Sequence, residues 1–219
     1  MKCIPIATAV ALAMYCAPGW ALPESAEMHV SGSVTAAASC SMDIGNPNID
    51  LGSIDYASLS QSSFAHYNTY SRTLSVTCDT PTQFALGAFD NRSETLNPAM
   101  ASCGHCLALG WTAAQNPIGF YGFGFYYQPV VDGSARSLLF SNDLATWQAD
   151  TNLYLTPQAR VPSSNGRKFV AAGTGSTVVV ATTMSLQFHV EVYLESRDTM
   201  SITQPTTIDG NSTLEIIYL

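Results

Sequence analysis

Cys103-Gly104-His105-Cys106 is the densest cluster of reactive side chains in this chain. Two thiols spaced this closely, with an imidazole between them, point to two chemistries. One is dithiol–disulfide exchange, in which a thiolate attacks a disulfide and its neighbour resolves the mixed species. That requires the first cysteine at a helix N-terminus, where the dipole lowers its pKa, within a strand-to-helix unit. Here Leu96-Asn97-Pro98 precedes the motif and Leu107-Ala108-Leu109-Gly110-Trp111 follows it, with no βαβ pattern around them. The other chemistry is metal ligation. A histidine lying between its two cysteines is poor geometry for a shared tetrahedral ion, so no metal is assigned. The motif reads as a small structural disulfide that pinches a loop.

Other catalytic patterns are absent from the sequence. There is no G-x-S-x-G element and no paired-carboxylate arrangement. His29, His66 and His189 are scattered, and no cofactor motif is found. The remaining chemically suggestive segment is Gly119 to Tyr127, GFYGFGFYY. As a strand it places Tyr121, Phe123, Phe125 and Tyr127 on one face, and Phe120 and Tyr126 with Gly122 and Gly124 on the other. Aromatic faces bind sugars by stacking, so Tyr121, Phe123, Phe125 and Trp147 are candidate ligand aromatics. The competing and favoured reading is core, with a neighbouring strand approaching over the glycines.

The elements that must hold these residues belong to an exported protein. Residues 1–21 read as a secretory signal: Lys2, a short apolar run from Ile4 to Ala17, and small residues at Gly19 and Ala21, with cleavage after Ala21. The run is too short to span a bilayer, which takes about 20 residues. Tyr15 before Cys16 argues against a lipoprotein site. Four of the six cysteines, Cys40, Cys78, Cys103 and Cys106, lie beyond the signal. An even number in an oxidising compartment implies two bridges. Of the three pairings, Cys40–Cys78 with Cys103–Cys106 is expected, because adjacent cysteines serve two distant partners poorly.

Without Lys2, seven basic residues face 16 acidic ones, a net charge of −9. That argues against nucleic acid and anionic lipid as partners. Short alternating runs separated by turn residues predict strands at His29–Val34, Asn48–Ile54, Arg72–Cys78, Gln83–Phe89, Gly119–Tyr127, Thr177–Ala181, Leu186–Leu194 and Thr213–Leu219. Asp90–Ala101 and Pro157–Gly166 read as loops, and Ser58–Tyr67 as a short helix or irregular stretch. Strands at this spacing predict an all-β sandwich. With no repeat and no linker, Leu22–Leu219 is expected to be one domain.

Several of these pieces together resemble the fimbrial (pilus) subunits assembled by the bacterial chaperone–usher route. The carrier is HVSGSVTAAASCSMDIGNPNIDLGSIDYASL, His29 to Leu59, with Gly32, Val34, Cys40, the Ile49-Asp50-Leu51-Gly52 run and Leu59 in order. Cys78 follows in LSVTCD, and Tyr218 is the penultimate residue. The resemblance covers residues 28–78 and 213–219. It implies an immunoglobulin-like sandwich lacking its last strand, with a hydrophobic groove in its place. A periplasmic chaperone would lend a strand to that groove, an outer-membrane usher would receive the subunit, and another fimbrial subunit would donate its N-terminal strand. It also implies a periplasmic and then cell-surface location.

On this reading Leu214, Ile216, Tyr218 and Leu219 form the assembly strand that a chaperone grips. The alternative is that they only fill their own core. Leu22, Met28, Val30, Gly32 and Val34 form the N-terminal donor or first strand. Pro23 interrupts the ladder there, so accepting a strand is better supported than donating one. A glycine common in the family ahead of the last strand is missing, the nearest being Gly210. The expected function is a structural fimbrial subunit contributing to cell adhesion, not an enzyme and without cofactor. The alternatives are a tip-like adhesin binding a glycan receptor and a periplasmic thiol oxidoreductase using Cys103 and Cys106.

Overall fold

The computed structural model describes residues 38–150, 153–160, 162 and 166–219. The signal segment 1–21 and the expected strand His29–Val34, with Leu22, Met28, Val30, Gly32 and Val34, lie outside the described residues. The chain order is β1 Cys40–Asp43, β2 Ala65–Thr82, β3 Phe84–Asp90, β4 Leu107–Ala108, β5 Gly119–Phe125, β6 Val130–Val131 and β7 Ser134–Ala135. It continues with β8 Ser137–Ser141, β9 Gln148–Ala149, β10 Leu153–Leu155, β11 Gly166–Arg167, β12 Phe169–Thr174, β13 Thr177–Val178, β14 Ala181–Leu194, the short helix α1 Arg197–Met200, and β15 Ser212–Tyr218.

These strands form two open sheets packed face to face, an all-β sandwich. The first runs β1-β2-β14-β5-β10-β11, and the second β15-β3-β12-β8-β9. The long antiparallel pair β2–β14 is the spine of the first sheet, with Leu74 opposite Leu186 and Val76 opposite Met184. On β14 the inward residues Met184, Leu186, Phe188, Val190, Val192 and Leu194 are all buried, with polar or half-buried residues between them. This is the period-two pattern of a strand with one face in the core. Facing it, Phe84, Leu86 and Ala88 of β3, Leu138 and Phe140 of β8, and Val170 and Ala172 of β12 complete the main core.

The outer face of the second sheet carries a smaller cluster, Ala85, Leu139, Phe169 and Ala171 under Trp147. The outer face of the first carries Leu96, Cys106, Ala108 and Phe120. Central strands are therefore buried on both faces, and every residue of β5 is buried.

The sequence reading is corrected at four places. Asn48–Ile54 is not a strand. Gly52 adopts φ +67°, and Asp50 accepts a hydrogen bond from its N–H at 2.8 Å. Side chains rather than a ladder meet this backbone, with Arg72 donating to the Asn48 carbonyl and Tyr67 to that of Leu51. Second, Ser58–Tyr67 is irregular, as one of its two readings had it, from the end of the Asp55-capped 3₁₀ turn Tyr56–Ser58 to Phe64, but Ala65–Tyr67 already belong to β2. Third, β14 starts at Ala181, ahead of the expected Leu186. Fourth, β8 and β12 were not foreseen, because strands buried on both faces lose the alternation that reveals them. Both expected disulfides are present, Cys40–Cys78 and Cys103–Cys106.

Candidate functional site

A groove of about 1090 Å³ opens between the sheets. Its floor is the inner face of the first sheet: Tyr121 and Phe123 of β5, and Phe188, Val190 and Val192 of β14. Ile49, Leu51 and Ile54 of the non-strand segment line it, as do Ile202, Ile208 and Leu214 on the approach to and within β15. The first of these segments follows the edge strand β1, and the second leads into the edge strand β15. Among the described residues β1 pairs only with β2, and β15 pairs through Ser212–Tyr218 only with β3. Among the described residues no strand occupies the other side of β15. One end of the opening is tied across the two sheets by the Cys40 N–H, which donates to the Tyr218 hydroxyl at 2.9 Å.

The C-terminal residues divide their roles around this groove. Leu214 and Ile216 are half-buried and pack on the main core, while Ile217 packs on the outer cluster. Tyr218 shares the face of Leu214 and Ile216, as its alternation implies, and its hydroxyl reaches the Cys40 N–H of the first sheet. It is nevertheless 49% exposed, and Leu219 is 44% exposed. The Leu219 N–H donates to the Gln83 carbonyl at 3.1 Å.

The candidate ligand aromatics Tyr121, Phe123, Phe125 and Trp147 are all buried. Tyr121 and Phe123 floor the groove, Phe125 stacks on Phe188, and the Trp147 indole N–H donates to the Leu144 carbonyl. Trp147 packs in the outer cluster of the second sheet, so of the four only Tyr121 and Phe123 border an open groove. Trp111, by contrast, is 41% exposed.

A second, smaller cavity of about 220 Å³ lies on the outer face of the first sheet, beside the Cys103–Cys106 bridge. No helix begins at Cys103. The motif follows a single 3₁₀ turn, Pro98–Met100, and leads into the two-residue strand β4. The dipole that would activate a thiolate is therefore missing from this place.

The His105 ring stacks on Tyr154, with centroids 4.4 Å apart. Its Nε2 lies 3.7 Å from Cys103 Sγ. Burial lowers the His105 pKa, with the charge of Glu191 pulling the other way. The loop curls so that the donor atoms of Cys103, His105 and Cys106 lie within 4.8 Å of one another.

Glu191 organises the other wall of this cavity. Its carboxylate accepts from the hydroxyls of Tyr126 at 2.6 Å, Tyr154 at 2.8 Å and Tyr193 at 3.3 Å. Burial and the nearby carboxylate push the Tyr126 pKa up to about 12, and those of Tyr154 and Tyr193 upward as well. The glycines of β5 make this possible. A Cβ on Gly124 would sit 2.8 Å from the Tyr126 hydroxyl, and one on Gly122 would meet Tyr154 and His105. Sequence reasoning missed the tyrosine–glutamate array. The available signal was the outward register of Glu191 and Tyr193 on β14, paired with Gly122 and Phe120 on β5.

The fold and groove thus define an all-β sandwich with a trough, apolar on its floor and mixed on its walls, beside a sheet edge unpaired among the described residues. Residues 28–120 match a family model described as "Protein of unknown function (DUF1120)". No curated protein matches the chain. Two disulfides fit an oxidising compartment, and among the described residues no helix is long and apolar enough to cross a membrane.

Proposed function

We propose that this chain is a strand-accepting subunit of a bacterial surface fibre, assembled by donor-strand complementation in the manner of chaperone–usher fimbrial subunits. The observation that carries this is the groove beside β15. A trough of about 1090 Å³ with an apolar floor opens at the start of an edge whose backbone groups have no strand partner among the described residues. Such an edge is an aggregation liability unless it is covered. An incoming strand of about five residues, roughly 17 Å long, would satisfy the β15 backbone and set alternate side chains over Tyr121, Phe123 and Val190. On this reading residues 1–21 direct export, and a periplasmic chaperone covers the groove until an usher passes the subunit to its neighbour. The role in the fibre is structural and supports cell adhesion.

Co-expression with and without a cognate chaperone tests the reading. The chaperone should co-purify with the chain and raise its periplasmic level. Leu214→Asp places a carboxylate on the groove wall and should abolish co-purification, since an unpaired buried charge is strongly unfavourable. Normal accumulation without any chaperone, together with unchanged capture by the Leu214→Asp variant, would overturn it.

A further inference from the structure

We propose that, once the Cys103–Cys106 bond is reduced, Cys103, His105 and Cys106 form a Zn(II) site on the outer face of the first sheet. The site is remote in kind from the groove and does not depend on strand acceptance.

The donor set is the first argument. Two thiolates and an imidazole are ligands that zinc takes in protein sites, and two cysteines separated by two residues are a common zinc-binding spacing. Geometry is the second. With zinc about 2.3 Å from sulfur and about 2.0 Å from nitrogen, neighbouring donors stand roughly 3.5–3.8 Å apart. His105 Nε2 is already 3.7 Å from Cys103 Sγ, and the three donor atoms lie within 4.8 Å of one another. On reduction the two sulfurs, now bonded, separate, and a shift of about 1 Å or less brings the donors to that spacing.

The third argument is access together with support. Cys103 and His105 are half-buried and, with Cys106, line the 220 Å³ cavity, which leaves an entry path and room for a water as fourth ligand. Stacking on Tyr154 holds the imidazole plane.

The chemistry balances with a dithiol as reductant. A reductant thiolate attacks Cys103 Sγ, the more exposed sulfur, and Cys106 leaves as a thiolate. The reductant's second thiol displaces Cys103 from the mixed disulfide. Two electrons pass to the protein, and the reductant departs as its own disulfide. Zinc then displaces any protons remaining on the two thiols.

The test uses the full chain with its signal removed, reduced by a phosphine and desalted without air. Co(II) serves as the spectroscopic probe for zinc. The reduced protein should bind one Co(II) with a sulfur-to-cobalt charge-transfer band that Zn(II) abolishes, and the oxidised protein should show no band. Cys103→Ser/Cys106→Ser, which keeps Cys40 and Cys78, should lose the band while its circular dichroism stays that of a β-protein. His105→Ala should weaken binding about tenfold or more. If the double variant does not fold, unchanged affinity in His105→Ala alone overturns the proposal. So does a reduced wild type without the band, or an equal band in the double-serine variant.

Discussion

Replacing Cys40 and Cys78 together by alanine should cost far more stability than replacing Cys103 and Cys106. The two bridges close loops of very different length, with sequence separations of 38 and 3 residues. On the chain-entropy model the first stabilises by about 4 kcal/mol and the second by roughly 1.5 kcal/mol. Placement widens the difference. Cys40 sits directly opposite Cys78 in the β1–β2 register, and β1 has only four residues and one pairing partner. Without the bridge little else pins β1 to the edge. Its release would also break the Cys40–Tyr218 hydrogen bond across the groove's end and free Ile44, which lines the groove. Equilibrium unfolding in urea, followed by circular dichroism without reductant, measures both variants against wild type. The expected losses are about 4 and roughly 1.5 kcal/mol, and the Cys40→Ala/Cys78→Ala variant should also fail to capture its chaperone. Equal losses for the two variants, or a larger one for Cys103→Ala/Cys106→Ala, would refute the reasoning.

Two further outcomes follow from local geometry. Gly119→Ala puts a Cβ 2.2 Å from the Tyr193 carbonyl oxygen and 3.1 Å from Leu194 Cα. Because the obstacle is the β14 backbone, the strands must part, and a thermal melt should show a loss of roughly 1–3 kcal/mol. Asp143 accepts from the N–H groups of Ala145 and Thr146, which holds its pKa at about 2, below the ordinary 3.8. Its folded pKa is lowered, so its contribution is fully present above the unfolded value and is lost as pH falls through the window from 3.8 to about 2. Asp143→Ala should therefore be less stable than wild type at neutral pH, with the gap narrowing across that window in acid-unfolding curves. A gap that is constant with pH would contradict this account.

How much of this was legible beforehand depends on what each residue's neighbours do. Strands with one face in the core and one outward, such as Arg72–Cys78 and Leu186–Leu194, are visible as alternation because burial itself alternates. The disulfide pairing was legible because Cys103 and Cys106 are too close in the chain to part. Buried on both faces, β8 and β12 show only short apolar runs, and periodicity is blind to them.

The Ile49-Asp50-Leu51-Gly52 run has the composition of a strand. Only the tertiary structure shows Gly52 turning left-handed and side chains taking over its backbone hydrogen bonds. The aromatic run around Phe123 was readable as core, but not as the floor of a groove, since a groove exists only where two sheet edges fail to meet. The gathering of Tyr126 and Tyr154 on Glu191, from other strands, is likewise a tertiary fact. The sequence determined which segments extend and which faces are apolar, because those follow from local period and side-chain chemistry. Which edges stay open, and which distant polar groups converge, was decided only when the two sheets packed, because pairing and packing are long-range choices that no short window of residues contains.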